Sequence, residues 1–96
     1  MAKSADLGER QLCAFEVESV PVLIVRSDGA LVAVVDACPH QQALLSSGRL
    51  RGQTIMCPLH GARFDLKTGE CVGGAYPGLK TLAIREADGE VSVKIP

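Results

Sequence analysis

The 96-residue chain has no Trp, and its aromatic residues are Phe15, Phe64 and Tyr76 alone. A core built from it must be aliphatic, mostly Val, Leu and Ile, with aromatic packing confined to a few points. The chain also lacks net charge: ten Lys and Arg against eleven Asp and Glu leave −1. Arg49, Arg51, Arg63, Lys67 and Lys80 form no continuous run, which argues against a nucleic-acid surface. No apolar run approaches the length of a membrane helix, and the first nine residues lack the apolar segment of a signal peptide. The expectation is a cytoplasmic protein with no membrane association. No Ser-His-Asp triad, paired carboxylates or phosphate-binding loop can be assembled, so independent catalysis has no candidate site.

What is present is concentrated in two short loops, Cys38-Pro39-His40 and Cys57-Pro58-Leu59-His60, which hold both His and two of the four Cys. Each pairs a thiolate donor with an imidazole donor beside a proline. Zinc sites favour C-x2-4-C and H-x3-5-H pairs, whereas here every loop mixes the two donor types. Soft thiolate and neutral imidazole suit iron-sulfur chemistry, and neither loop offers a carboxylate for a harder ion. The mixing suggests a two-iron cluster; a structural zinc site is the bland alternative. Pro39 and Pro58 serve to stiffen the loops. Four Cys in a short chain also permit a disulfide framework, against which stand the missing signal and the use of Cys38 and Cys57 by a metal. Cys13 and Cys71 read as buried small hydrophobes.

The two loops resemble, residue by residue, those of the Rieske family, in which two His replace two of the usual four Cys around a [2Fe-2S] centre. The resemblance implies one such cluster, with Cys38 and Cys57 on one iron and His40 and His60 on the other. Two ferric ions, two sulfides and two thiolates sum to zero charge, so the centre accepts an electron more readily than an all-Cys cluster. His-ligated clusters accordingly lie at about −150 to +300 mV, against about −400 mV for plant-type ones.

Hydroxyl donors near the sulfurs raise the potential. Respiratory and photosynthetic members have a Ser two residues after the second His and a Tyr two further on; this chain has Ala62 and Phe64. Their inter-loop disulfide positions hold Ala43 and Leu59. These departures imply the low-potential branch. From about residue 22 to 95, and most of all over His60-Gly61-Ala62-Arg63-Phe64-Asp65 with Thr68-Gly69 behind it, the chain is similar to the ferredoxins of bacterial aromatic-ring-hydroxylating dioxygenase systems. That implies a monomeric carrier, not an enzyme, that takes electrons from an NAD(P)H-dependent flavoprotein reductase. The receiving partner would be a terminal Rieske oxygenase of aromatic hydrocarbon catabolism. The competing readings are a small subunit of an assimilatory nitrite reductase and a metal-stabilised interaction domain. The third loop, Gly73-Gly74-Ala75-Tyr76-Pro77, has one proline where the family has a pair.

At this length one domain over residues 1–96 is expected, its core marginal without help from a metal. Its cluster-binding part would span about 37–76. Residues 1–10 read as a loose arm. Residues 11–17 alternate as a strand with Phe15 and Val17 inward. Pro21 interrupts the chain before the run Val22-Leu23-Ile24-Val25, which Ser27-Asp28-Gly29 turns into residues 31–35. That second strand runs through Asp36-Ala37 into Cys38, and Leu44 and Leu45 form an apolar lid beneath the loop. A hairpin about Arg51-Gly52 delivers Cys57. Arg63-Phe64-Asp65 turns at Lys67-Thr68-Gly69 into Glu70-Cys71-Val72. A last hairpin joins a strand holding Leu79, Leu82 and Ile84 to Val91, Val93 and Ile95 through Ala87-Asp88-Gly89. The expected fold class is all-β, a small Rieske-type fold of antiparallel strands in a sandwich or barrel. Two metal loops form its cluster-binding subdomain. Gln41, Gln42, Leu44 and Leu59 are candidates for a partner patch, and Arg49, Arg51 and Arg63 for pairing with a partner's acidic groups.

Overall fold

The computed structural model describes residues 2–37, 44–57, 62–72 and 77–95. Among the described residues nine strands fall in two sheets. The larger is antiparallel in the order β1 (Ala2–Lys3), β9 (Glu90–Lys94), β8 (Thr81–Ala87), β4 (Ala30–Val35), β3 (Val20–Ser27), β2 (Cys13–Val17), and it curls over a core. The smaller has the order β5 (Arg49–Arg51), β6 (Thr54–Met56), β7 (Arg63–Asp65). The described residues contain no helix long and apolar enough to cross a membrane.

The continuous apolar run in β3 follows from burial on both faces. Leu23 and Val25 join Val34, Leu45, Ile55, Cys57, Phe64, Leu66 and Leu79 in a core between the two sheets. Val22 and Ile24 join Leu7, Ala33, Leu82 and Val91 inside the curled sheet. A strand sandwiched this way has no polar side to alternate with. The β3–β4 turn is Asp28-Gly29, both at positive φ (53° and 80°), the I′ geometry that matches strand twist and for which glycine is suited. Asp88-Gly89 repeats it between β8 and β9.

Four local expectations are corrected. Residues 1–10 are no loose arm: Ala2 and Lys3 pair with Val91 and Glu90, and Leu7 is buried in the inner core. An apolar anchor in an otherwise polar segment suffices to dock it. Pro21 lies within β3, opposite Glu16, where its carbonyl accepts the Asp36 N–H (2.9 Å). Its missing N–H is tolerated at the second residue of the strand. β4 does not run straight into the first loop, because the Ala37 N–H turns back to the Val35 carbonyl (2.9 Å). Leu44 is 52% exposed and only Leu45 tucks under, fully buried in a 3-10 turn over Leu45–Ser47.

The small sheet is latched to the large one. The Ser27 hydroxyl donates to Gln53 Oε1 (2.8 Å) and the Gln53 amide donates to Asp28 (2.8 Å), while the Gln53 carbonyl accepts the Leu66 N–H (3.0 Å). This latch sits at the turns of both hairpins, at the opposite end from Ala37 and Cys57.

Candidate metal centre

Cys38, His40 and His60 lie outside the described residues, as do Gln41, Gln42, Leu59 and the third loop up to Tyr76. Cys57 is described. It follows β6, is 1% exposed, and packs with Phe64, Ile55 and Leu45. Its N–H donates to the Ala62 carbonyl at 2.7 Å, which extends the β6–β7 pairing of Met56 with Arg63 by one residue on each strand. The Cys57 side chain is thus set by a hairpin on one side and an apolar floor on the other.

The first loop is closed by a different device. Asp36 is 2% exposed, and its carboxylate takes the Ser46 N–H (2.8 Å) and the Ser46 hydroxyl (2.7 Å), so the chain leaving at Ala37 returns at Leu44. Two charge-assisted bonds satisfy a buried carboxylate that would otherwise be costly. Gly48 then lies against the Met56 carbonyl so closely that a Cβ would overlap it. The return limb of loop one is therefore pressed onto the strand that delivers Cys57. The third loop joins the same end: the Val72 N–H donates to the Arg63 carbonyl (2.8 Å), Phe64 bridges Cys71, and Pro77 and Ala37 line one hollow. The described residues that flank the three loops thus gather at one end of the small sheet.

Neither Asp36 nor Ser46 was singled out from the sequence. The only available signal was a carboxylate two residues before a loop Cys, which no spacing rule reads. Cys13 and Cys71 pack against the two cores but stay half-buried, short of the full burial expected of them. Among the described residues no cluster of three or more His, Cys, Asp or Glu gathers elsewhere. Hollows along β8 and β9, one lined by Glu18, Arg85, Ser92 and Lys94, bring no nucleophile to a base.

Two sheets with a buried Cys at a hairpin mouth and loop flanks gathered at the same end are the setting of an iron-sulfur domain, and the chain belongs to the Rieske [2Fe-2S] domain family, whose model matches residues 1–86. An iron-sulfur cluster goes with that membership. The donor set fits it: the chain carries two thiols and two imidazoles in the two loops and no carboxylate among them. The ferredoxin component of biphenyl 2,3-dioxygenase from Rhodococcus jostii (strain RHA1) is 29% identical over 96 residues, covering 99% of this chain and 90% of that protein. The solved ferredoxin of carbazole 1,9a-dioxygenase from Nocardioides aromaticivorans IC177 superposes with a TM-score of 0.89 at 27% identity, over 96% of this chain and 91% of that one. A chain of the solved complex of reduced oxygenase and oxidized ferredoxin in carbazole 1,9a-dioxygenase gives 0.88 at 28%, over 98% of both. Such relatives are electron carriers rather than catalysts, and the all-β expectation agrees with the fold they share.

Proposed function

We propose that the protein is a low-potential Rieske ferredoxin that passes single electrons from an NAD(P)H-dependent flavoprotein reductase to a terminal ring-hydroxylating oxygenase. Cys38, His40, Cys57 and His60 hold one [2Fe-2S] cluster, within one domain over residues 1–96. The observation that carries this reading is the placement of Cys57, buried at the mouth of the β6–β7 hairpin with the described flanks of the other two loops at the same end. The ferredoxin names of its full-length relatives support the same reading.

The bound cluster supplies one-electron acceptance and donation without proton or atom transfer to a substrate. The chain's own residues determine how it does so. Cys57 and its floor of Ile55 and Phe64 exclude water from one side. Ala62 and Phe64 bring no hydroxyl to the sulfurs, which keeps the potential low. Asp36 and Ser46 fix the exit and return of the first loop, which limits rearrangement on electron transfer.

Voltammetry of the aerobically purified protein from about pH 6 to 10, with iron and sulfide counted in the same sample, tests the proposal. A reversible one-electron couple below zero, flat near neutral pH, is expected. Zinc in place of iron, or no couple, would leave a metal-stabilised interaction domain.

A further inference from the structure

Resting on the electron-carrier reading, the structure points to the class of surface that receives this protein. The register of the small sheet places Arg49, Met56 and Arg63 side by side across its last rung, one residue before Cys57. Leu50, Ile55 and Phe64 form the next rung and point into the core, so the three turn outward, with Arg49 and Arg63 exposed about Met56. Arg51 stands two residues along on the same face. Among the described residues none of these arginines has an ion-pair partner. The nearest carboxylate in register, Asp65, accepts the N–H groups of Lys67 (2.8 Å) and Thr68 (3.0 Å).

Leu44 and Val72 are the exposed large hydrophobics among the described residues, at 52% and 46%. Each adjoins a loop segment, Leu44 after the first and Val72 before the third, and Val72 is bonded to Arg63. The end that carries the loops is therefore apolar at points and rimmed by unpaired cations.

The charge of the chain is divided accordingly. Residues 37–80 hold five basic side chains (Arg49, Arg51, Arg63, Lys67, Lys80) and two acidic ones (Asp65, Glu70), a net of +3. The remainder holds five basic and nine acidic, a net of −4, and together they give −1. A near-neutral molecule split this way presents its positive end to an approaching negative surface, and steering of this kind is screened beyond about 10 Å at 0.1 M salt.

We propose that the outer face of the small sheet, with Arg49, Met56 and Arg63 across it and Val72 at its margin, is where an acidic patch of an electron-transfer protein docks. The positive rim sets the approach and the apolar residues exclude water at the point where the electron passes. One electron leaves the partner and reduces the cluster, or the reverse, with no bond made or broken.

The probe is flavodoxin hydroquinone, an acidic one-electron donor that leaves as the semiquinone; cytochrome c, a basic acceptor, is the counter-probe. Stopped-flow rates with the holoprotein are compared between about 0.01 and 0.3 M ionic strength. The flavodoxin rate is expected to fall at least fivefold with salt while the cytochrome c rate does not fall. Arg49→Glu with Arg63→Glu should remove that fall, leaving the visible spectrum and potential of the cluster unchanged. Lys3→Glu with Lys94→Glu, the same charge change on the large sheet, should leave it intact. A flavodoxin rate indifferent to salt, or a double arginine variant that behaves as wild type, overturns the proposal, as does self-association in sedimentation that the arginine variant abolishes. Reduction by dithionite separates the two readings: a protein that dithionite reduces but that ignores partner charge loses only this inference. One that dithionite cannot reduce loses the carrier reading itself.

Discussion

Both carboxylate oxygens of Asp36 are taken by a single residue, Ser46, through its N–H and its hydroxyl. The nine residues between them include two of the proposed ligands, Cys38 and His40. Ser46→Ala strands one oxygen of a carboxylate that is 2% exposed, for an expected loss of about 1–3 kcal/mol. Urea unfolding should show it. Iron should also be lost faster to a chelator, an effect a remote destabilising change of equal size would not produce.

The contact between Gly48 and the Met56 carbonyl leaves no room for a side chain. Backbone stands on both sides, so Gly48→Ala must push the return limb of the first loop off β6. An ordinary helix- or strand-interior Gly→Ala change gains about 0.5–1 kcal/mol, whereas here a net loss of stability is expected. A thermal melt compared with Gly29→Ala, where a Cβ meets nothing within 4 Å and only the positive φ opposes it, checks the ordering.

Ala62 gives its carbonyl to Cys57 and has a half-buried side chain against the core. Ala62→Ser places a hydroxyl donor beside the proposed cluster and should raise the reduction potential by stabilising the more negative reduced state. Ala62→Val, which adds bulk without the donor, should not. Voltammetry of the pair separates hydrogen bonding from packing.

The N–H groups of Thr68 and Lys67 hold the Asp65 carboxyl below the usual carboxylate range. A lowered folded-state pKa contributes stability above the unfolded value, near 3.9, and that contribution is lost as pH falls toward and below it. Asp65→Asn should therefore be less stable than wild type at neutral pH, with the gap narrowing below about pH 4. A gap that stays constant with pH would assign the effect to turn geometry alone.

The hairpins were legible in the sequence because each carries its own local signal. Asp28-Gly29, Gly52 and Asp88-Gly89 stand where strands must reverse, and Val91, Val93 and Ile95 alternate visibly. The docking of the first ten residues was not legible, since it depends on one apolar residue, Leu7, finding a core made by strands up to 84 residues away. Leu44 and Leu45 look alike in sequence, and only the 3-10 turn decides that one is buried and its neighbour exposed. At the site, the paired Cys and His types were readable from the loops. The Asp36–Ser46 clasp and the Gln53 latch were not, because they join polar residues of ordinary types across 10 to 26 positions.

The two-faced burial of β3 has a consequence for where the first loop begins. In a strand with one wet side, slipping by one residue drowns its apolar set, and that penalty fixes alignment. Val22-Leu23-Ile24-Val25 has no wet side, so a slip merely exchanges one oily pair for another. Alignment must then be dictated from the ends, by the two-residue reversal at Asp28-Gly29 and the grip of Pro21 on Asp36. The position of Ala37, where the first loop begins, is thus metered by a turn at the far end of the hairpin, as a ruler is set by its zero mark.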